Sequence, residues 1–138
     1  MNHKHAFVDT NILVYVHDSD AVKKHQAAQE LIKSLWDSPY PPAISTQVLQ
    51  ELYVSLAKKG AKSDDCKKII NIYYSWEVVE HDIPLIEAGV SYKERYKLSL
   101  WDGLIVAAAV KAKAELLYTE DLQNGQRIDQ LLVVNPFV

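Results

Sequence analysis

"LSLWDGLIVAAAVKAKAELLYTED", residues 98–121, carries the reading on which the fold turns. Ser99 is a natural N-cap, and the helix it opens, Leu100 to Ala114, is apolar nearly all round. Ala107, Ala108 and Ala109 allow close approach, so this helix is expected to pack deep against a sheet. "ELLYT" (115–119) then reads as a short buried strand with an acid, Asp121, just beyond its end. A buried helix feeding a buried strand is half of a parallel α/β unit.

The flanking sequence supplies more of the same. "KHAFV" (4–8) reads as a strand, broken at Asp9-Thr10-Asn11 before apolar residues resume in one or two helical turns over 11–16. Apolar positions at three- and four-residue spacing predict a helix from Ser19 to Trp36, which the prolines of "SPYPP" end. "AIS" (43–45) is a second strand. Ser45 or Thr46 caps the helix "TQVLQELYVSLAKKG", which Gly60 closes. A further helix runs from Ser63 to about Tyr74, and "EVVEHD" (77–82) is a third strand. Asp82 and Pro84 start a helix to about Lys97, and "LLVVN" (131–135) is a fifth strand. Short apolar strands alternating with helices predict a three-layer α/β/α fold, a central parallel sheet with helices on both faces. In such folds function gathers at the carboxyl ends of the strands, where the strand order switches.

A chain of 138 residues fits one domain over 1–138, and 49% hydrophobic with 24% charged residues fits the soluble globular class. The longest apolar stretch, "GLIVAAAV" (103–110), falls far short of the roughly 20 residues of a spanning helix. "MNHKH" shows no signal region, so a cytoplasmic protein without membrane contact is expected. The single cysteine, Cys66, excludes an internal disulfide and a multi-thiolate zinc site, and reads as a spectator on a helix. A net charge of −3 speaks against nucleic-acid binding through a broadly basic surface. It leaves room for acids concentrated at a metal site, with local Lys and Arg clusters around it.

Four acids fall where this fold would gather them. Asp9 follows the first strand, Asp121 follows the fourth, Glu51 lies on the helix after the second, and Asp102 lies in the first turn of the buried helix. Each has a plain structural explanation. Asp9 can cap the helix after it, and Asp102 sits three residues after Ser99 as in a capping box. Glu51 lies beyond the apolar face of Val48, Leu49, Leu52, Tyr53 and Leu56, as a solvated glutamate would, and Asp121 can be a turn residue.

Together they say more. Two carboxylates about 5 Å apart repel by roughly 3 kcal/mol at an effective dielectric of about 20. A divalent cation removes that conflict, and oxygen-only ligands point to Mg2+ or Mn2+. Zinc would want His or Cys, and none of His3, His5, His17, His25 and His81 falls in a paired ligand spacing.

"FVDTNILVY", "ISTQVLQELY", "LSLWDGLIVAAA" and "LLYTEDLQNGQ" with the closing "VVNPF" resemble, in order and spacing, the PIN-domain ribonucleases, most closely the VapC-like toxins of bacterial toxin–antitoxin pairs. The likeness covers essentially the whole chain. It implies an acidic pocket binding Mg2+ or Mn2+, in which Asp9, Glu51 and Asp102 match the family's three principal acids and Asp121 the fourth. Thr10, Asn11 and Thr119 match the small polar residues around that pocket. Trp101 departs from the tyrosine commoner before the acid and leaves the acid in register. The implied activity is metal-dependent hydrolysis of RNA phosphodiesters by an endoribonuclease, with Asp9 and Asp102 ligating most directly and Glu51 and Asp121 through waters or at a second ion. The implied partners are RNA, a cognate antitoxin and a second copy in a homodimer.

For substrate contact the sequence offers Lys58, Lys59 and Lys62 beyond the Glu51 helix, and Lys93, Arg95 and Lys97 ahead of Asp102. Tyr53, Tyr96 and Trp101 are candidates for stacking on unpaired bases. The exposed residues of "LWDSPYPP" are a candidate antitoxin contact. The rival of another class is a catalytically inactive PIN-like module that binds RNA or acts as a scaffold. Receiver-type domains need an acidic pair near the first strand, and Asp-x-Asp phosphatases need a second acid where Asn11 stands; neither is present.

Overall fold

The computed structural model describes residues 4–138, so Met1, Asn2 and His3 lie outside the description. Its elements run β1 (Ala6–Val8), α1 (Thr10–Val16), α2 (Val22–Trp36), β2 (Ala43–Ser45), α3 (Thr46–Lys58), α4 (Ser63–Ile72), β3 (Glu77–Val79), α5 (Ile83–Tyr96), α6 (Leu100–Lys111), β4 (Leu116–Tyr118), β5 (Arg127–Ile128) and β6 (Leu131–Val134). The strands form one sheet in the order β3-β2-β1-β4-β6-β5, parallel throughout except for β5, which pairs antiparallel to β6.

That order puts the switch point between β1 and β4. The chain leaves β1 toward β2 and β3, then crosses back to β4 on the other side. Right-handed crossovers place α1–α4 on one face and α5–α6 on the other. Packing follows this division: α1 contacts α2 and α3, α3 contacts α4, and α5 lies along α6. The crevice for function is then the carboxyl end of β1 and β4, where Asp9 and Thr119–Asp121 emerge.

Several boundaries differ from expectation for local reasons. The helix expected from Ser19 begins as a 3-10 turn, Ser19–Ala21, under a cap in which Asp18 accepts the Asp20 N–H, and turns α-helical only at Val22. The helix expected to reach Tyr74 ends at Ile72 and tightens into a 3-10 turn over Tyr73–Ser75, with Tyr73 buried against Trp36 and Trp76. The third strand stops at Val79, because Asp82 already caps α5 by accepting the Leu85 N–H. The sheet is not purely parallel, since the two-residue strand β5 adds an antiparallel edge. Ser45 caps α3, and Gly60 follows its end at a φ of 97°, which L side chains resist.

The core is the sheet and α6. Phe7, Val8, Ile44, Leu117 and Val133 are buried on the strands, and α6 is buried continuously from Gly103 to Ala109. The expected deep packing of this helix is present, and glycine makes it possible. A Cβ on Gly103 would run into the Gly89 carbonyl oxygen of α5 and sit 3.1 Å from the Lys93 nitrogen. These are backbone atoms that cannot step aside. Gly103→Ala is therefore expected to destabilise the protein by about 3 kcal/mol, read as a loss in urea-melt free energy. Because Asp102 precedes Gly103, the same clash would move the carboxylate that α6 carries to the crevice.

Candidate metal centre

Each acid reaches the crevice by a different route. Asp9 is the N-cap of α1 in extended conformation, with Oδ1 accepting the Thr10 N–H at 2.7 Å. Its Oδ2 accepts the Thr119 hydroxyl at 2.8 Å, so the residue after β1 is tied to the residue after β4. Asn11 donates from Nδ2 to Thr119 Oγ1 at 3.2 Å and to Asp121 Oδ2 at 3.0 Å. The Asp121 N–H in turn donates to Thr119 Oγ1 at 3.1 Å. Asp102 stands in the first turn of α6, where its own N–H donates to the Ser99 cap at 3.1 Å and its carboxylate reaches those of Asp9 and Asp121. The capping roles foreseen for Asp9 and for Ser99 are both real, and both coexist with the acids' convergence.

Carboxylate oxygens of Asp9, Asp102 and Asp121 lie within 4.8 Å of one another, a grouping that among the described residues is formed by these three alone. At an effective dielectric of about 20, each charged pair at that distance repels by roughly 3.5 kcal/mol. The site shows that conflict in its protonation. Burial first, and then the charges of Asp121 and Glu51, push the Asp9 carboxyl up to about 7 against the hydrogen bonds from Thr119 and Thr10. Asp102 is raised too, by burial, Asp121 and Glu51, with the Ser99 contact opposing. Three oxygens of hard, anionic donors, with no sulfur and no imidazole among them, suit a hard divalent cation.

Glu51 lines the same cavity, of about 330 Å3, but stands outside the trio. Its Oε1 accepts the Thr10 hydroxyl at 2.9 Å and the Gln47 amide at 3.4 Å. Gln47 was not foreseen. It is buried, one helical turn before Glu51, and its Nε2 also donates to the Trp101 carbonyl at 3.2 Å, linking α3 to α6 across the pocket. Its position four residues before Glu51 on the same helix face was the available signal.

A family model described as the PIN domain matches residues 6–129. The chain belongs to the PIN-domain family. Among solved structures, this PIN domain resembles a chain of a toxin–antitoxin complex from Klebsiella pneumoniae, at 24% identity and a TM-score of 0.71 over 95% of this chain and 97% of that one. It also resembles VapC20 of Mycobacterium tuberculosis, a sarcin–ricin loop cleaving toxin, at 20% identity and a TM-score of 0.70 over 84% and 91% of the two chains. A third likeness is to a chain of VapBC2 from Rickettsia felis bound to a DNA fragment from their promoter, at 23% identity and a TM-score of 0.63 over 93% and 96%. Identities of this size speak for the fold. No curated protein sequence matches the chain significantly.

The remaining residues of interest in this PIN domain scatter. Lys59 lines the pocket but pairs with Asp18 at 3.0 Å. Arg95 pairs with Asp129 and lies over the Tyr92 and Tyr96 rings. Lys58, Lys62, Lys93 and Lys97 are exposed. Trp36 and Tyr40 of "LWDSPYPP" are exposed as well, Trp36 with one ring edge against Trp76. Cys66 is buried in the core, His3 falls outside the described residues, and no described helix is long and apolar enough to cross a membrane.

Proposed function

We propose that this single PIN domain is a Mg2+- or Mn2+-dependent endoribonuclease that hydrolyses RNA phosphodiester bonds as the toxin of a toxin–antitoxin pair. It would act in the cytoplasm as a homodimer and be restrained by a cognate antitoxin. The convergence of three carboxylates at the switch point of the sheet is the observation that carries this reading. The likeness to toxin–antitoxin structures supports the partner assignment.

Asp9, Asp102 and Asp121 would hold the cation. When bound, such an ion supplies Lewis acidity toward a water and the scissile phosphate. Glu51 is placed to take the proton of the attacking water: both of its hydrogen bonds fall on Oε1, which fixes the carboxylate and leaves Oε2 for the proton. Thr10 orients Glu51, Thr119 orients Asp9, and Asn11 steadies Asp121, so these three position ligands and base and need not touch the substrate themselves.

The test pairs a calorimetric Mn2+ titration with a cleavage assay on RNA. Mn2+ binding together with cleavage that EDTA abolishes is the expected result. Absence of Mn2+ binding at millimolar concentrations would hand the chain to the inactive RNA-binding or scaffold reading. Within the same assay, Thr119→Val removes the hydroxyl that donates to Asp9 and accepts from Asn11 and the Asp121 N–H, while keeping the side chain's shape. It should weaken Mn2+ binding by about 10- to 100-fold, the usual cost of losing a group that orients a ligand.

A further inference from the structure

We infer that the Trp101 indole is the platform on which a nucleobase next to the cleaved bond stacks. This deepens the ribonuclease reading and rests on it. Trp101 is 61% exposed and lines the same cavity as Asp9, Asp102 and Asp121. The other two aromatic candidates are engaged elsewhere. Tyr53 borders a separate apolar groove with its hydroxyl 3.2 Å from Ser63, and Tyr96 stacks on Tyr92 beneath Arg95. Tyr15 also lines the cavity, but its hydroxyl is bound to Glu120 at 2.6 Å and its ring to Phe137.

Placement in the helix gives the ring its role. Successive residues of an α-helix project about 100° apart. Next to Asp102 on α6, whose carboxylate joins the acidic cluster, Trp101 borders the cavity that holds that cluster, within reach of a base neighbouring a phosphate bound there. Its backbone is held on both sides, by the Ser99 cap on Asp102 and by Gln47 on its own carbonyl, so the ring is presented from a fixed point of attachment.

Charge points the same way. Lys59, which lines the cavity, is paired with Asp18 at 3.0 Å, and Lys24, beside the hydroxyl of the cavity-lining Tyr15, is paired with Glu120 at 2.8 Å, in a chain of net charge −3. Phosphate attraction at the pocket is correspondingly weak, and a contact with an uncharged base face supplies affinity that salt does not screen.

The experiment measures cleavage of an unstructured single-stranded RNA by the native protein, Trp101→Ala and Trp101→Phe, with an abasic residue stepped along the strand. Trp101→Ala should raise KM by on the order of tenfold at low and high salt alike, leave kcat within about twofold, and leave Mn2+ affinity unchanged, while Trp101→Phe retains most of the native KM. At one position the abasic residue should raise the native KM as much as the Ala variant does, and add nothing in that variant. A native KM in Trp101→Ala, or independent effects of the variant and the abasic residue at every position, would overturn the inference while leaving the nuclease reading intact. A changed sedimentation coefficient or lost antitoxin binding in Trp101→Ala, with KM unchanged, would reassign the ring to a protein contact. No RNA cleavage by the native protein would overturn both.

Discussion

Asp9→Asn is expected to lower metal-dependent RNA cleavage by on the order of a thousandfold or more while raising the melting temperature of the metal-free protein. The two effects have opposite sign because one carboxylate causes both. Asp9 is only 4% exposed, and its carboxyl sits at about 7 against 3.8 for the free side chain, with burial the main cause. Above pH 7 the folded protein therefore carries a buried negative charge beside Asp102 and Asp121 that the unfolded chain holds in water. Replacing it with a neutral amide removes a strain of up to roughly 4 kcal/mol, the free-energy equivalent of the rise from 3.8 to about 7. The gain will be smaller than that, because the asparagine must turn one donor toward Thr119. Its Oδ1 still accepts the Thr10 N–H, but the Thr119 oxygen already accepts from Asn11 and from the Asp121 N–H, so the new amide donor finds no free lone pair there and part of the gain is lost. A rise of several degrees at pH 8 in EDTA, alongside loss of cleavage in Mg2+, is the expected pair of readings. Loss of cleavage together with a lower melting temperature would mean that Asp9 holds the fold and not the ion.

The features legible in the sequence are those written into short, local patterns. Asp9 and Asp121 are visible because each interrupts an apolar run at the point where a buried strand must end, and Asp102 because Ser99 announces the helix start three residues earlier. The α6 segment declares its burial by lacking any polar face. Strand order is not local: it depends on the direction of each crossover, so no short sequence pattern records the switch between β1 and β4. Arg127–Ile128 is too short to show alternation, and its pairing with β6 is the only antiparallel one among the described residues. Side-chain grouping is harder still. Position along the chain puts Glu51 on a par with Asp121, yet the Asp121 oxygen joins Asp9 and Asp102 while Glu51 is drawn aside by Thr10 and Gln47. Those hydrogen bonds connect residues 41 apart in one case and neighbours on a helix in the other. Apolar periodicity carries no record of either.

Proton and metal compete for the same carboxylates, so the stabilisation that Mn2+ gives should grow with pH and then level off. Between about pH 4 and pH 7 the folded protein keeps a proton on Asp9 that the unfolded chain has released. Metal-free stability attributable to Asp9 therefore falls across that window, by at most about 1.4 kcal/mol per pH unit, and is flat above it. Asp102, also raised by burial and Asp121, acts in the same direction. His17 and His81 oppose it: burial lowers both, so their contribution is lost as pH falls and rises again toward neutrality. The difference between native protein and Asp9→Asn cancels the histidines and isolates the carboxylate. Because a cation at the trio must displace the Asp9 proton, its apparent Kd should drop about tenfold per pH unit up to about 7 and change little beyond. At a fixed Mn2+ concentration of about 100 times the pH 8 Kd, the ion should add about 2.7 kcal/mol at pH 8 and about 0.4 kcal/mol at pH 5. Thermal melts at unit steps from pH 5 to pH 8, with and without Mn2+, on both proteins, read this directly. A Mn2+ stabilisation equal at both ends of the range, or equally large in Asp9→Asn, would place the ion somewhere other than among these three carboxylates.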